Sequence, residues 1–441
     1  MSTPLYDALV AYAQKSPARF HMPGHKGTPL SVPELTAVSA IDLTELGPTG
    51  NLYEAGAPFD QAQGLWAAAF GFPHCQFLTG GSTQGIHTGL ALFASPGERV
   101  VIDRACHRSV YNALALLDLE PVFLERPWLA EHNLIGPFSQ KDVEKILDAH
   151  PDVKTVCITS PTYAGLLSDI PAIAREVHRR GGKLLVDGAH GAHLPFLGVD
   201  AFSGADGVVV SAHKTLPALG QGALFFHQDV EEDRVRRWAS VFGTSSPSYP
   251  IMASLDLCRD WLEKEGREQY LRVRDRVAKL RRRFPSLGEE LPLDPTRLTL
   301  KVKDGPAFAR ALEERGIYPE MEDGGHVVLI CTGSDREDSF VRLEKALEEL
   351  EGGMGDCLPI PAPPLPRRAL SPRQALFAST VSLPLEECEG RIAAGQLAPY
   401  PPGVPVVAPG EVISKKELSY FRQISYNNRN VPLVDREIPL P

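Results

Sequence analysis

Short apolar runs alternate with helical segments between residues 75 and 226, and this alternation constrains the fold more than any other feature of the chain. The runs are CQFLTG, RVVIDR, EPVFLE, VKTVCITS, KLLVDGA, DGVVVSA and GALFFH. Strands separated by helices are typical of an α/β domain with a mostly parallel sheet. Ligands bind such sheets at the carboxyl ends of the strands. The residues that follow each run are therefore the candidates for chemistry.

The remainder of the chain predicts further domains, since 441 residues with 43% apolar side chains exceed the usual size of one domain. We expect an N-terminal arm at 1–30, a large domain at 31–265 and a smaller α+β domain at 266–357. A linker and a C-terminal module follow at 358–441. The small domain is predicted from the strands RLTLKVK and HVVLICT and the helices beside them, and the linker from the proline-rich stretch CLPIPAPPLPRR.

Composition excludes several classes of function. A net charge of −10 argues against a general nucleic-acid binder. No apolar stretch approaches the roughly 18 residues of a membrane span, and the N-terminus lacks the apolar core of a signal peptide, so we expect a cytoplasmic protein without a membrane partner. The cysteines include no C-x-x-C pair, which favours reduced thiols. Cys106 beside His107 allows a thiolate nucleophile, although a packing cysteine is the commoner role.

The first run leads into LTGGSTQG, where Gly81, Ser82 and Thr83 stand at the start of a predicted helix. Unpaired N–H groups and the helix dipole favour an anion at such a position, so a phosphate cradle is one interpretation. An ordinary turn with a Ser/Thr cap is the other. The segment is not a P-loop, because no lysine follows the glycines at the required spacing.

Other candidates follow the runs KLLVDGA and RVVIDR. Asp187 ends a buried strand, and His190 and His193 follow it. An aspartate with two histidines can bind zinc, but the glycine-containing loop lacks the spacing of an H-E-x-x-H helix, and we expect no metal. His107, just past another strand, reads in isolation as a surface or capping residue.

Lys214 stands just past the end of the valine run DGVVVSA, where a lysine requires an explanation. An acid at one strand end, a lysine at the next and a Gly-Ser-Thr cradle at a third are the groups that hold pyridoxal phosphate. The lysine forms the Schiff base, Asp187 keeps the pyridine nitrogen protonated, and the cradle holds the phosphate. The protonated ring then accepts electrons from the substrate Cα.

The chain resembles the bacterial ornithine/lysine/arginine decarboxylase family in its short form. The resemblance extends over nearly the whole chain, through FHMPGHKG, DLTELGPTGNLYEAGAP, FLTGGSTQG, VIDRACHRSVYNAL, ITSPTYAG, LLVDGAHGAH, SAHKTLPALGQGA, TSSPSYPIMASLD and YPPGVPVVAPGE. It implies an aspartate-aminotransferase-like fold (PLP fold type I), a homodimer with active sites at its interface, and PLP-dependent decarboxylation of a basic amino acid that feeds polyamine metabolism. Assembly beyond the dimer stays open.

The resemblance also implies roles for individual residues. Lys214 binds the cofactor covalently, Asp187 pairs with its ring nitrogen, and His107 stacks on the ring. His213 contributes to the phosphate site and is a weaker candidate for the proton donor at Cα. The remaining cofactor-binding residues implied are Gly81, Ser82, Thr83, Thr162, Ala189 and Ser211. The segment 244–249 is expected to reach the cofactor of a neighbouring subunit.

The chain departs from the family pattern at two places. Gly188 stands where the family has an acidic residue, and Gly222 and Ala223 stand where it has a polar pair. Glu45 and Glu54 are candidates for binding the substrate's cationic side chain. The sequence leaves open whether arginine, lysine or ornithine is the substrate. It also leaves open an aminotransferase or other PLP enzyme of this fold and a non-catalytic regulatory homologue.

Overall fold

The computed structural model describes residues 2–27, 33–359, 361–399, 404–424, 426 and 428–435. The chain divides into two compact units. The first unit comprises Met1–Phe93, Leu184–Val273 and Thr332–Ser334, and the second comprises Ala94–Lys183, Arg274–Cys331 and Asp335–Pro441. The domain boundaries expected from the sequence stay a prediction.

The elements before residue 183 are three helices followed by a succession of short strands and helices. In chain order they are α1 (Pro4–Gln14), α2 (Pro33–Ile41), α3 (Phe59–Phe70), β1 (His74–Leu78), α4 (Gly81–Phe93), β2 (Arg99–Asp103), α5 (Arg108–Leu117), β3 (Glu120–Leu124), β4 (Trp128–Leu129), β5 (Leu134–Ile135), α6 (Gln140–Ala149), β6 (Thr155–Thr159) and α7 (Ile170–Arg179). Helix α6 begins after Ser139, because Ser139 and Asp142 form a reciprocal capping box.

The middle of the chain contains β7 (Lys183–Asp187), β8 (Gly207–Val210), α8 (Ala212–Thr215), β9 (Ala223–His227), α9 (Glu232–Val241), α10 (Tyr249–Trp261) and α11 (Arg267–Arg283). A π-helical turn, Leu262–Gly266, joins α10 to α11.

The C-terminal part carries β10 (Arg297–Lys301), α12 (Gly305–Glu313), β11 (Met321–Glu322), β12 (His326–Ile330), α13 (Glu337–Glu349), α14 (Pro372–Leu376), β13 (Thr380–Leu383), α15 (Lys415–Gln423) and β14 (Val431–Val434). Short 3-10 turns lie at Leu194–Leu197, Glu351–Gly353 and Leu385–Glu387. In the second unit β12 pairs antiparallel with β10 and β11, and β13 pairs antiparallel with β14.

All the strands predicted between residues 75 and 226 are present, and their pairing is mixed. In the first unit β7 and β8 are parallel, whereas β9 runs antiparallel to β8 and β1. In the second unit β2 is parallel to β3 and β6. The central residues of these strands are buried, as their apolar side chains require. The α/β class with a mostly parallel sheet is confirmed.

Candidate active site

Three strands of the first unit end at one edge of its sheet. Asp187, the last residue of β7, is the register partner of Val209, and Val210 at the end of β8 is the partner of Leu224 in β9. Because β9 runs in the opposite direction, the start of β9 pairs with Leu78, the last residue of β1. The segments that follow β1, β7 and β8 therefore leave the sheet at the same edge.

Lys214 lies at this edge, on the one-turn helix α8 directly after β8. Its Nζ atom is 3.1 Å from the Nε2 atom of His190, whose ring is buried. Its backbone N–H donates to the carbonyl of Ser211 at 3.1 Å. A protonated lysine can only donate, so a neutral His190 would accept the hydrogen bond through Nε2. The lysine is thus held at both its backbone and its side chain.

Asp187 is buried at the end of β7, and its Oδ1 atom accepts a hydrogen bond from the backbone N–H of Ala189 at 3.2 Å. Gly188 between them donates its N–H to Val209 at 2.8 Å. A Cβ atom at Gly188 would lie 2.7 Å from the Cε1 atom of Phe202. The acidic residue that the family pattern places here has no room, because the ring of Phe202 fills the space.

The predicted phosphate cradle lies at the start of α4. Gly81 has a φ of 69° and donates its N–H to the carbonyl of Gln221 at 2.9 Å. Ser82 is half-buried and Thr83 is exposed. The first N–H groups of a helix have no partner within the helix, so this turn can bind an anion.

Two buried hydroxyl groups border the lysine in sequence. Among the residues that the structure describes, the Oγ of Ser211 and the Oγ1 of Thr215 are buried and make no hydrogen bond. Buried hydroxyls normally have a partner. A bound polar group beside α8, such as a phosphate, would supply one.

His213 is oriented by a single carbonyl. Its Nδ1 atom lies 3.0 Å from the carbonyl oxygen of Gly222, which also accepts the backbone N–H of His213 at 3.2 Å. Since a carbonyl only accepts, Nδ1 carries the proton. The Nε2 atom is then the nitrogen that can accept or release a proton.

His107 and Thr162 belong to the second unit. His107 is the N-cap of α5, and its Nδ1 atom accepts the N–H of Ser109 at 3.2 Å. Thr162 is buried in a turn, where its Oγ1 atom accepts the N–H of Leu166 at 3.1 Å. Both side chains accept a hydrogen bond from a nearby backbone N–H. Their roles in cofactor binding stay predictions.

The acidic candidates make local contacts. Glu45 accepts a hydrogen bond from Thr44 at 2.5 Å, and Glu54 accepts one from Asn51 at 3.0 Å. Residues 244–246 are exposed. The roles expected for the two glutamates and for the segment 244–249 stay predictions.

The thiolate and zinc alternatives find no support in these contacts. Cys106 is almost fully buried, as expected of a packing cysteine. His190 contacts Lys214, whereas His193 stacks on Tyr270 with ring centroids 5.6 Å apart. In the ranges that the structure describes, no cluster of three or more histidine, cysteine, aspartate or glutamate side chains could hold a metal, and no helix is both long and apolar enough to cross a membrane.

Sequence reasoning missed the contacts that support the lysine. For His190 the sequence suggests only metal binding, and it does not indicate the contact with Lys214. Tyr270 donates its hydroxyl hydrogen to the carbonyl of Thr215, at the end of α8. Gln84 accepts the N–H of Gly80 at 2.8 Å and so holds the turn before α4. The quoted motifs GGSTQG and DGAHGAH contain Gln84 and His190, but nothing in a single sequence identifies their partners.

Comparison with known proteins identifies the family. Residues 3–308 match the model described as "Orn/Lys/Arg decarboxylase, major domain", and residues 362–439 match "Orn/Lys/Arg decarboxylase, C-terminal domain". The arginine decarboxylase of Bacillus subtilis is 32% identical, over 95% of this chain and 93% of its own. The arginine decarboxylase of Halalkalibacterium halodurans is also 32% identical, over 97% of this chain and 94% of its own.

Solved structures agree in fold. Lysine decarboxylase A from Pseudomonas aeruginosa has a TM-score of 0.82 at 20% identity and aligns over 98% of this chain and 80% of its own. A structure described as SPT with PLP has a TM-score of 0.54 at 16% identity, over 67% of this chain and 78% of its own. The expected similarity to PLP fold type I enzymes is confirmed. The chain belongs to the Orn/Lys/Arg decarboxylase family, whose members are basic amino-acid decarboxylases.

Proposed function

We propose that this protein is a PLP-dependent decarboxylase that converts arginine to the corresponding amine and CO₂, and that the amine feeds polyamine metabolism. The observation that carries the proposal is Lys214 at the same sheet edge as Asp187 and the start of α4. Arginine is preferred over lysine and ornithine because relatives that are 32% identical bear the name arginine decarboxylase. The near full-length match favours this reaction over an aminotransferase.

The residues at this edge fit pyridoxal phosphate. The orphaned hydroxyl of Ser211 and the first turn of α4, with Gly81, Ser82 and Thr83, would hold the phosphate. Asp187 would accept a hydrogen bond from the protonated ring nitrogen, and Ala189 would lie against the ring. When bound, the cofactor supplies an electron sink for the bond between Cα and the carboxylate.

The chain's own groups would move the protons. Lys214 must lose a proton from Nζ before it can act as a nucleophile, and His190, 3.1 Å away, can accept it. His213, once it also carries a proton on Nε2, would donate that proton to the substrate Cα and keep its Nδ1 proton on the carbonyl of Gly222. We further propose that His107 stacks on the cofactor ring and that Thr162 lines the ring's edge.

We also propose a homodimer in the cytoplasm, in which the segment 244–249 reaches the partner's cofactor. Residues 244–246 are exposed and polar, which suits such a role. Glu45 and Glu54 are the residues that we propose for the substrate's cationic group.

The test is CO₂ release from carboxyl-labelled arginine, lysine and ornithine with PLP present and each amine identified. We expect release from arginine. CO₂ release only from lysine or ornithine would show that the proposed reaction is right and that arginine is not the substrate. If the protein binds PLP and releases CO₂ from none of the three, the decarboxylase proposal is wrong, and amino-group acceptors become the next substrates to screen.

A further inference from the structure

The sequence motif near the C-terminus, YPPGVPVVAPGE, has no part in the chemistry proposed above. It lies in the C-terminal domain, residues 362–439. This domain and the loop before α5 belong to the same unit. Its contacts with that loop suggest what the motif does.

Glu411, the last residue of the motif, reaches the loop between β2 and α5. Its Oε2 atom accepts a hydrogen bond from the Nη2 atom of Arg104 at 2.8 Å and one from the N–H of Ala408 at 2.7 Å. The same Nη2 atom donates to the carbonyl of Val406 at 2.9 Å. The side chains of Arg104 and Glu411 are only 9% and 2% exposed. Residues 406–411 of the motif therefore form a binding site for one guanidinium group.

Arg104 is in turn fixed to α5. Its Nη1 atom donates to the hydroxyl of Tyr111 at 2.5 Å, and that hydroxyl donates to the carbonyl of Arg104 at 2.8 Å. His107 stands between these two residues as the N-cap of α5. Movement of Arg104 would therefore move the start of the helix.

The C-terminal domain also holds the helix beyond His107. The Nε2 atom of Gln396 donates to the carbonyl of Arg108 and to the Oδ1 atom of Asn112, both at 3.2 Å. Arg373 donates to the carbonyls of Ala115 and Leu116 at the other end of α5, at 3.3 and 3.2 Å. His107 thus lies between Arg104, whose guanidinium group this domain binds, and Arg108, whose backbone carbonyl it binds.

Stability alone does not explain this arrangement. The domain has its own apolar core, which includes Phe421, Val431 and Leu433. A buried ion pair is often no more stabilising than apolar residues of similar size, because both charges lose their hydration. A buried ion pair does favour one geometry, because a conformation that separates the two side chains leaves each charge buried and unpaired.

We propose that Glu411 is a positioning residue for His107, acting through Arg104. The C-terminal domain fixes the start of α5 so that the imidazole ring meets the cofactor. This inference rests on the proposed function, in which His107 stacks on the cofactor ring.

The test uses the full-length protein with Glu411→Gln and a matched control, Glu417→Gln. Glu417 is as buried as Glu411 and belongs to the same domain, but it caps α15 through Ser414. Glutamine also serves in a capping box, so the control should fold and behave as wild type. Gln396→Ala removes the second contact without a buried charge and serves if Glu411→Gln fails to fold.

Amide hydrogen exchange in the apoprotein is the first readout. We expect Glu411→Gln and Gln396→Ala to accelerate exchange at residues 104–112, and Glu417→Gln to leave it unchanged. Equal exchange in all variants would overturn the proposal. Because no cofactor is present, this result does not depend on the proposed function.

A double-mutant cycle with His107→Asn is the second readout, because asparagine keeps the cap and removes the ring. We expect Glu411→Gln to weaken PLP binding about tenfold in the wild-type background and less than twofold beside His107→Asn. An equal loss in both backgrounds would show that Glu411 does not act through His107. If the wild type itself binds no PLP, the proposed function fails and the positioning proposal falls with it, whatever the exchange data show.

Discussion

The Nζ atom of Lys214 lies 3.1 Å from the Nε2 atom of His190, and the two residues come from adjacent strand ends of one sheet. A buried imidazole at this distance can take a proton from the lysine without solvent. The contact supports the proposal that His190 accepts a proton from Lys214.

Replacement of Lys214 by alanine should abolish CO₂ release and the retention of PLP on dialysis, because no other amine would bind the cofactor covalently. Visible absorbance after dialysis and labelled CO₂ release measure the two effects. Lys264→Ala is the matched control, since this lysine pairs with Asp260 on the surface of the same unit. Retained turnover in Lys214→Ala would contradict the assignment.

Replacement of His190 by glutamine should slow the capture of PLP by the apoprotein by about 100-fold near neutral pH, the scale of general-base catalysis. The deficit should shrink as the pH rises, because Lys214 then loses its proton to solvent. Stopped-flow absorbance over a pH series measures it. His193→Gln, in the same loop but stacked on Tyr270, should show no such pH dependence. Identical profiles for the two variants would argue against a proton-accepting role.

Acid should destabilise the protein through His227. Burial, with the charges of His74 and Arg236, lowers the pKa of His227 from 6.5 to about 3. The unfolded chain therefore binds the proton more tightly between these values, and the contribution of His227 to the free energy of unfolding should fall by about 1.6 kcal/mol from pH 6.5 to 5. Well above pH 6.5 both states are neutral, and the effect vanishes.

Urea unfolding across that range measures this contribution. Relative to His227→Phe, the free energy of unfolding of the wild type should fall by this amount, because the comparison cancels the opposite effect of Asp256, whose pKa burial raises to about 6. Relative to His178→Gln, at an exposed histidine, the wild type should show no such fall. A His227→Phe profile parallel to that of the wild type would show that another group is responsible.

Gly188 and Phe202 should be energetically coupled. A methyl group at Gly188 would lie 2.7 Å from the ring of Phe202, so Gly188→Ala should cost about 1–3 kcal/mol in the free energy of unfolding. Adding Phe202→Leu should recover part of that loss. In Gly64→Ala the methyl group meets no atom within 4 Å, and Gly64 is an exposed residue of α3, so this control should be slightly stabilising. If the free-energy changes of Gly188→Ala and Phe202→Leu simply add in the double variant, the two residues are not coupled.

The sequence predicted what depends on local pattern. Apolar runs located the strands, and the placement of Lys214 and Asp187 after such runs predicted their common edge. Direction was not predictable, because an apolar run such as GALFFH reads the same for a parallel or an antiparallel strand. Long-range partners were also out of reach: Arg104 and Glu411 are 307 residues apart in the chain, and only folding brings them together.

Because β9 runs antiparallel to β8, the segment that carries Lys214 is anchored at both of its ends. Residues 211–222 leave the end of β8 and return to the start of β9 at the same edge, so both ends of the segment are fixed by adjacent, directly bonded strands. His213 and Gly81 close it further through Gly222 and Gln221. A loop anchored in this way tolerates exchange of side chains more readily than a change of length. Insertions or deletions between residues 211 and 222 should therefore displace Lys214 more than a substitution at an exposed residue of the same loop, such as Leu219.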